Sequence, residues 1–325
     1  MAMVSTYHIN LGLCCINNTL REDARDWLMS TNKITKRPRG KVPIFCSRTI
    51  NNRKYYSVQR AQELALQNTR DLSYLIEWNQ QHNIQHLRIS SDMFPRFTDP
   101  EVESYTIDFA HTHLDDASKL IHKWKHRVTF HPGQFNQIGT KSPKIFEATC
   151  HDLLHHASIF DHMNIDESGI LCIHGGGVYG DKEGTKRRWI EQFDDLPTPV
   201  KRRIALENCE KCYSIRDCLD LSEACHIPVI VDTHHYTCYN HFHPSEQQEE
   251  LEPLVQEAVD TWKHARPLFH ISDQAQNKPV GSHHDFIEAI PSALLQLSKE
   301  ITIDIEVEAK AKEAAIFRLK QKYGL

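Results

Sequence analysis

The stretch RVTFHPGQF (127–135) reads as a short β-strand ending on His131, after which Pro132 and Gly133 turn the chain straight into Gln134 and Phe135. Val128, Thr129 and Phe130 are β-branched or aromatic and suit a pleated surface, whereas Pro-Gly is turn chemistry. A metal-capable side chain at the mouth of a strand is either peculiar to one loop or one member of a set. The rest of the chain decides between the two.

Seven further runs share this length and character: HINLGL (8–13), IQHLRIS (84–90), GILCIH (169–174), RIALE (203–207), PVIVD (228–232), PLFHI (267–271) and ITIDIEVE (301–308). Amphipathic stretches lie between and after them, over 57–82, 112–126, 144–162, 185–195, 213–225, 246–264, 284–299 and 309–322. Strands alternating with helices predict a parallel α/β sheet. Eight such units in 325 residues suit a TIM (β/α)8 barrel, taken here as one domain over 1–325. No G-x-G-x-x-G fingerprint follows the first strand, and the glycines at 175–177 lack that spacing, which argues against a dinucleotide-binding fold.

Composition narrows the class. Hydrophobic residues make up 40% of the chain, enough for a sizeable core. No apolar run approaches the roughly 20 residues that cross a bilayer, and MAMVSTYHINLGLCC lacks the features of a signal peptide. An intracellular, non-secreted protein with no membrane partner is expected. Its ten cysteines then read as reduced thiols. Cys209 and Cys212 form a CxxC followed by Cys218 and Cys225, but the second pair is not tight, so buried thiols are expected rather than a zinc site. His151, His155, His156 and His162 read as a solvated helix face.

The net charge of −5 does not describe a surface coated for nucleic acid. Locally the balance reverses: from Trp27 to Gln62 there are nine basic residues (Lys33, Lys36, Arg37, Arg39, Lys41, Arg48, Arg53, Lys54, Arg60) and no acidic one. Pro38, Gly40 and Pro43 mark this segment as a basic loop, 30–56, inserted in the barrel and suited to phosphate.

The strand ends form the set that His131 announced. His174 ends the fourth strand, Glu207 the fifth and Asp232 the sixth with His234 and His235 behind it, while His270 lies in the seventh and Glu308 closes the eighth. In a parallel barrel those ends meet at one rim, where barrel enzymes keep their chemistry. A set of His, Asp and Glu without cysteine suits divalent metals such as zinc or manganese. The number of donors exceeds one ion's needs, so two or three ions are expected, with Glu207 as a bridging carboxylate. Paired metals activate water and stabilise a leaving oxygen in phosphodiester hydrolysis. In ITIDIEVE, strand parity puts Asp304, Glu306 and Glu308 on one face, with Glu308 at the rim and the deeper two in buried ion pairs with groups such as Arg88.

The segments HPGQF (131–135), HGGGVYGDK (174–182), LENCE (206–210), DTHH (232–235), HIS (270–272), HHD (283–285) and EAKAKEAA (308–315), in this order, resemble the UV damage endonucleases, relatives of the endonuclease IV barrels. RISSDMFP (88–95) and SRT (47–49) are similar as well, and the likeness runs from about Tyr7 to the C-terminus. The resemblance implies a metal-dependent enzyme that nicks double-stranded DNA 5′ to cyclobutane pyrimidine dimers and 6-4 photoproducts and leaves a 3′-hydroxyl. It implies His131, His174, Glu207, Asp232, His235, His270, His283 and Glu308 as metal ligands, with His234 a neighbour only. Of these, Glu207, His131, His174, Asp232 and Glu308 carry the catalytic role. Gln134 and Phe135 would probe the damaged site, with Asn10, Arg48, Lys182 and Lys310 as further DNA contacts. Manganese is the favoured ion, zinc and magnesium the alternatives, and a monomer without a protein partner is expected. Three positions depart from the family pattern. Leu268 stands where a modified, metal-holding lysine is usual, Asp99 in FPRFTDPE where a histidine is usual, and Leu13 where a tyrosine reaches the lesion.

Three other functions fit parts of the pattern. An apurinic-site endonuclease shares the chemistry but needs a pocket rather than a wedge. A sugar isomerase on the same barrel has no use for the basic loop. A DNA-damage binder whose metal site has decayed would retain binding without cleavage.

Overall fold

The computed structural model describes residues 6–23 and 48–325. Lys33, Lys36, Arg37, Arg39 and Lys41 of the basic loop lie outside these residues. Eight strands, β1 (Ile9–Cys14), β2 (His86–Ile89), β3 (Arg127–Phe130), β4 (Leu171–His174), β5 (Ile204–Glu207), β6 (Val229–Asp232), β7 (Leu268–Ile271) and β8 (Ile303–Val307), close into a barrel in sequence order. All pair in parallel, and β8 returns to β1 with Asn10 opposite Asp304 and Leu13 opposite Val307. The expected TIM barrel is therefore the observed fold.

Alternation along each strand sorts the side chains into two layers. Ile9, Leu11 and Leu13 of β1 point outward and join the core between barrel and helices, where burying each aliphatic side chain contributes about 1.5–3 kcal/mol. Asn10, Gly12 and Cys14 point inward. Gly12 is required there, because a Cβ would come within 2.9 Å of the His86 ring. The barrel interior divides in two. One half is polar: Arg127 binds Asp304 at 2.7 Å, and Arg88 and His86 hold Glu306, the buried pairing expected for these carboxylates. The other half is a small apolar cluster of Ile170, Cys172, Ala205, Ile230 and Leu268.

The helices packed outside are α1 (Val58–Gln81), α2 (His111–Trp124), α3 (Pro143–His162), α4 (Lys182–Asp194), α5 (Thr198–Lys201), α6 (Ile215–Cys225), α7 (Thr233–Phe242), α8 (Leu251–Asp260), α9 (Ser292–Leu297) and α10 (Glu313–Tyr323). Several start on serine caps: Ser57, Ser142 with Pro143 behind it, and Ser214 in a capping box with Asp217. Helix α7 departs from the expectation of one helix over 246–264. The run THHYTCYNHF holds aromatic and β-branched residues of weak helix propensity, yet Asp232 nucleates it by accepting the backbone N–H groups of His234 (2.7 Å) and His235 (2.8 Å). No helix among the described residues is long and apolar enough to cross a membrane.

Candidate active site

Glu207 is fully buried at the rim end of β5 and lies at the centre of the cluster. Its Oε2 stands 2.8 Å from His131 Nε2 and 3.7 Å from His174 Nε2, and its Oε1 stands 2.9 Å from His270 Nδ1 and 3.3 Å from His235 Nδ1. One carboxylate thus faces two imidazoles through each oxygen, the arrangement of a bridging ligand. Asp232 Oδ2 lies 3.7 Å from His235 Nδ1, and Glu308 links His270 (3.6 Å) to His283 (3.5 Å). The eight side chains expected to ligate metal therefore form one connected cluster. His234 is turned aside, its Nε2 3.6 Å from Cys238 Sγ.

The donor chemistry fits divalent cations. Because Asp232 spends Oδ1 on capping α7, its Oδ2 is buried without a hydrogen-bond partner. Leaving such an atom unpaired costs about 1–3 kcal/mol, which a bound cation would offset. Burial opposes charge on His270, yet Glu207 and Glu306 outweigh it and raise its pKa to about 10. Burial opposes charge on His235 too, and Asp232 and Glu207 overcome it. For Glu207, burial is overcome by His270, His174 and His131, so its carboxyl is held well below the usual range. Desolvation instead lowers His174 to about 4, which keeps a neutral imidazole lone pair available. Protons on His270 and His235 occupy positions where the carboxylates require positive charge. Beneath this layer the Glu306 carboxylate lies 3.0 Å from His270 Nε2 as an ion pair, while Nδ1 of the same ring faces Glu207.

The cluster floors a cavity of about 780 Å³. The HPGQF loop forms one lip: Phe135 is 63% exposed, and its ring lies so near Gly133 that a Cβ there would meet it at 2.5 Å. Asn136 braces the loop, donating to Gly133 O (3.0 Å) and to Asp152 Oδ2 (2.8 Å), while Thr98 donates to Asp152 Oδ1 (2.6 Å). Asp152, His155 and His156 also line the cavity. His155 and His156 are buried, with His155 stacked on Phe97 at 3.9 Å. The solvated face expected of this helix is thus incorrect at those two positions, because Phe94 and Phe97 cover His155 and Phe130 of β3 covers His156.

Other expectations are corrected. Asn10 sits at the opposite end of the barrel, where it donates to Asp304 at 2.8 Å, so it does not reach the rim. The Arg48 guanidinium pairs with Asp71 of α1, and the loop lines the cavity instead through Thr49, Ile50, Asn51 and Arg53. Lys182 is bound by Asp217 (2.7 Å) and Tyr239 (2.8 Å) in a separate, smaller pocket. Lys310 is exposed on the segment after β8. Leu13 is wholly buried against the helices and takes no part in the groove. Asp99 lines the cavity but is gripped by Arg53 (2.8 and 2.9 Å) and Arg96 (2.9 Å), and hydrogen bonds from Arg53 lower its pKa to about 2. Both oxygens are engaged in tying the 48–56 segment to the groove edge, which replaces the metal- or water-binding role open to an aspartate there. One donor of the cluster was missed: Cys172, two residues before His174 and on the same strand face.

The profile of the UV-endonuclease UvdE family matches residues 9–324. This chain belongs to that family. It is 30% identical over 323 residues to the putative UV-damage endonuclease of Acanthamoeba polyphaga mimivirus, spanning 97% of this chain and 91% of the relative. To the UV-damage endonuclease of Schizosaccharomyces pombe it is 31% identical over 331 residues, 97% of this chain but only 51% of that longer protein. The crystal structure of SacUVDE superposes with a TM-score of 0.80 at 27% identity, covering 98% of this chain and all of the other. Of the three positions expected to depart from the family pattern, Leu268 is an apolar barrel residue, Asp99 a groove-edge latch and Leu13 a core residue.

Proposed function

We propose that this chain is a DNA repair endonuclease that hydrolyses the phosphodiester backbone 5′ to UV photoproducts, cyclobutane dimers and 6-4 photoproducts among them, and leaves a 3′-hydroxyl. The observation that carries the reading is the single buried carboxylate of Glu207 facing His131 and His174 through one oxygen and His270 and His235 through the other. His131, His174, Glu207, Asp232, His235, His270, His283 and Glu308 would hold two or three divalent ions, which supply water activation and leaving-group stabilisation when bound.

The chain's own residues do the rest. The depth of the cluster keeps the strand phosphate away from bulk water. Phe135, exposed at the lip and propped over Gly133, enters the duplex at the lesion, with Gln134 beside it. Stacking on an aromatic ring contributes about 1–3 kcal/mol per base, and a dimer that already weakens base pairing needs less energy to open. Lys310, exposed beyond β8, offers charge to the phosphate backbone.

The test is a strand-cleavage assay with manganese on matched duplexes carrying a cyclobutane dimer, an apurinic site or no lesion, with the cut ends mapped. A nick 5′ to the dimer is expected. Cutting at the apurinic site alone would reassign the chain to the apurinic-site reading, and binding without cutting at any metal concentration would make it a damage binder.

A further inference from the structure

The barrel layer just below Glu207 contains a donor of a different kind. Cys172 precedes His174 by two residues, so both side chains enter the barrel. Its Sγ lies 3.1 Å from Glu207 Oε2, and ligand atoms of Cys172, Glu207, His131 and His270 all fall within 4.8 Å of one another. The thiol is 2% exposed, and its remaining neighbours Ile170, Ala205, Ile230 and Leu268 have no polar side-chain atom. Leu268, two residues before His270, therefore supplies no donor to the cluster, while Cys172, packed in the same apolar group, supplies one.

We propose that Cys172 is a ligand of one metal ion, held together with His131, Glu207 and His270, and that this site selects a borderline-soft divalent ion such as zinc over manganese. The inference rests on the metal-centre reading above and adds to it the identity of one ion. Two imidazoles, a carboxylate and a thiolate make a complete four-coordinate set, and sulfur favours zinc where oxygen donors suit manganese. The thiol proton, now directed at Glu207, leaves to solvent as the ion enters, since the bound form is the thiolate. The second thiol near the cluster, Cys14, groups with Glu306 and Glu308. Arg88 already binds one oxygen of each of those carboxylates, Glu306 Oε2 and Glu308 Oε1, whereas Glu308 Oε2 faces His283.

The test uses the full chain, stripped with chelator and reloaded with cobalt(II), whose bond to a thiolate gives a near-ultraviolet charge-transfer absorption. The wild type and Cys14→Ala should show the band, and Cys172→Ser and Cys172→Val should lose it. In Cys172→Val the preference for zinc over manganese in competitive loading should fall by about tenfold or more. Cobalt bound in the wild type without the band, or a band surviving in both Cys172 variants, would overturn the proposal and leave the metal centre standing. Failure of the wild type to retain any cobalt by elemental analysis would overturn both. If circular dichroism shows the Cys172 variants unfolded, the wild type and Cys14→Ala decide: a band in both supports Cys172, and its absence from either refutes it.

Discussion

Replacing Glu207 with glutamine keeps the shape of the side chain and removes its charge. One carboxylate oxygen becomes an NH2 group, so a donor is aimed at His131 Nε2, now 2.8 Å from Oε2, or at His270 Nδ1, now 2.9 Å from Oε1. Either way one of the two lone-pair faces that a bridging ligand requires is lost. Removing one charged partner from a buried ionic cluster costs about 3–5 kcal/mol. At about 1.4 kcal/mol per decade, ion retention should weaken by roughly two to three and a half orders of magnitude. Glu207→Gln should therefore lose cleavage of dimer-containing duplex in single-turnover assays and release metal during gel filtration. The same substitution removes the foremost influence raising His270, so the His270 pKa of the metal-free protein should drop from about 10, measurable by NMR. A variant that keeps its metal and cuts at the normal rate would refute Glu207 as the bridge.

Phe135→Ala should reduce the preference for dimer-containing over undamaged duplex by roughly five- to 150-fold, the equivalent of about 1–3 kcal/mol of stacking, with unchanged Tm because the ring is 63% exposed; equal cleavage of both duplexes by the wild type would already exclude the wedge. Leu13→Tyr inserts a ring into the filled helix-facing core, so it should cost about 1–3 kcal/mol of stability without altering lesion preference; a changed lesion range would show that this position reaches the groove after all. Asp99, with its pKa lowered to about 2 from an ordinary 3.8, stabilises the fold fully above pH 3.8 and loses that contribution as pH falls through about 2. The stability difference between wild type and Asp99→Asn should therefore persist at pH 5, shrink as pH falls towards 2 and vanish below it in urea titrations; a difference unchanged at pH 2 would contradict the latch.

Much of the fold was legible because strand and helix signals are local. Short runs of five to eight residues, rich in apolar side chains, located all eight strands, and parallel closure then followed from their alternation with helices. Helix α7 was missed because its residues are poor helix formers and its start depends on one capping carboxylate, Asp232, that the sequence presents simply as a strand end. His155 and His156 were misjudged for the opposite reason: helical spacing describes a face, but distant residues cover it, Phe97 at His155 and Phe130 at His156.

By itself the sequence determined which side chains gather at the rim, since strand order and parity place His131, His174, Glu207, Asp232, His270 and Glu308 there in any closed parallel barrel. Only the tertiary structure decided how they share partners. That Glu207 stands between two pairs of imidazoles, that Asn10 lies at the far end beside Asp304, that Arg48 and Lys182 are already neutralised by Asp71 and Asp217, and that Cys172 joins the donor set all depend on contacts between distant segments. The physical reason is that a side chain's face is a property of its own strand, whereas its depth and its partners are set by the register at which neighbouring strands close the barrel.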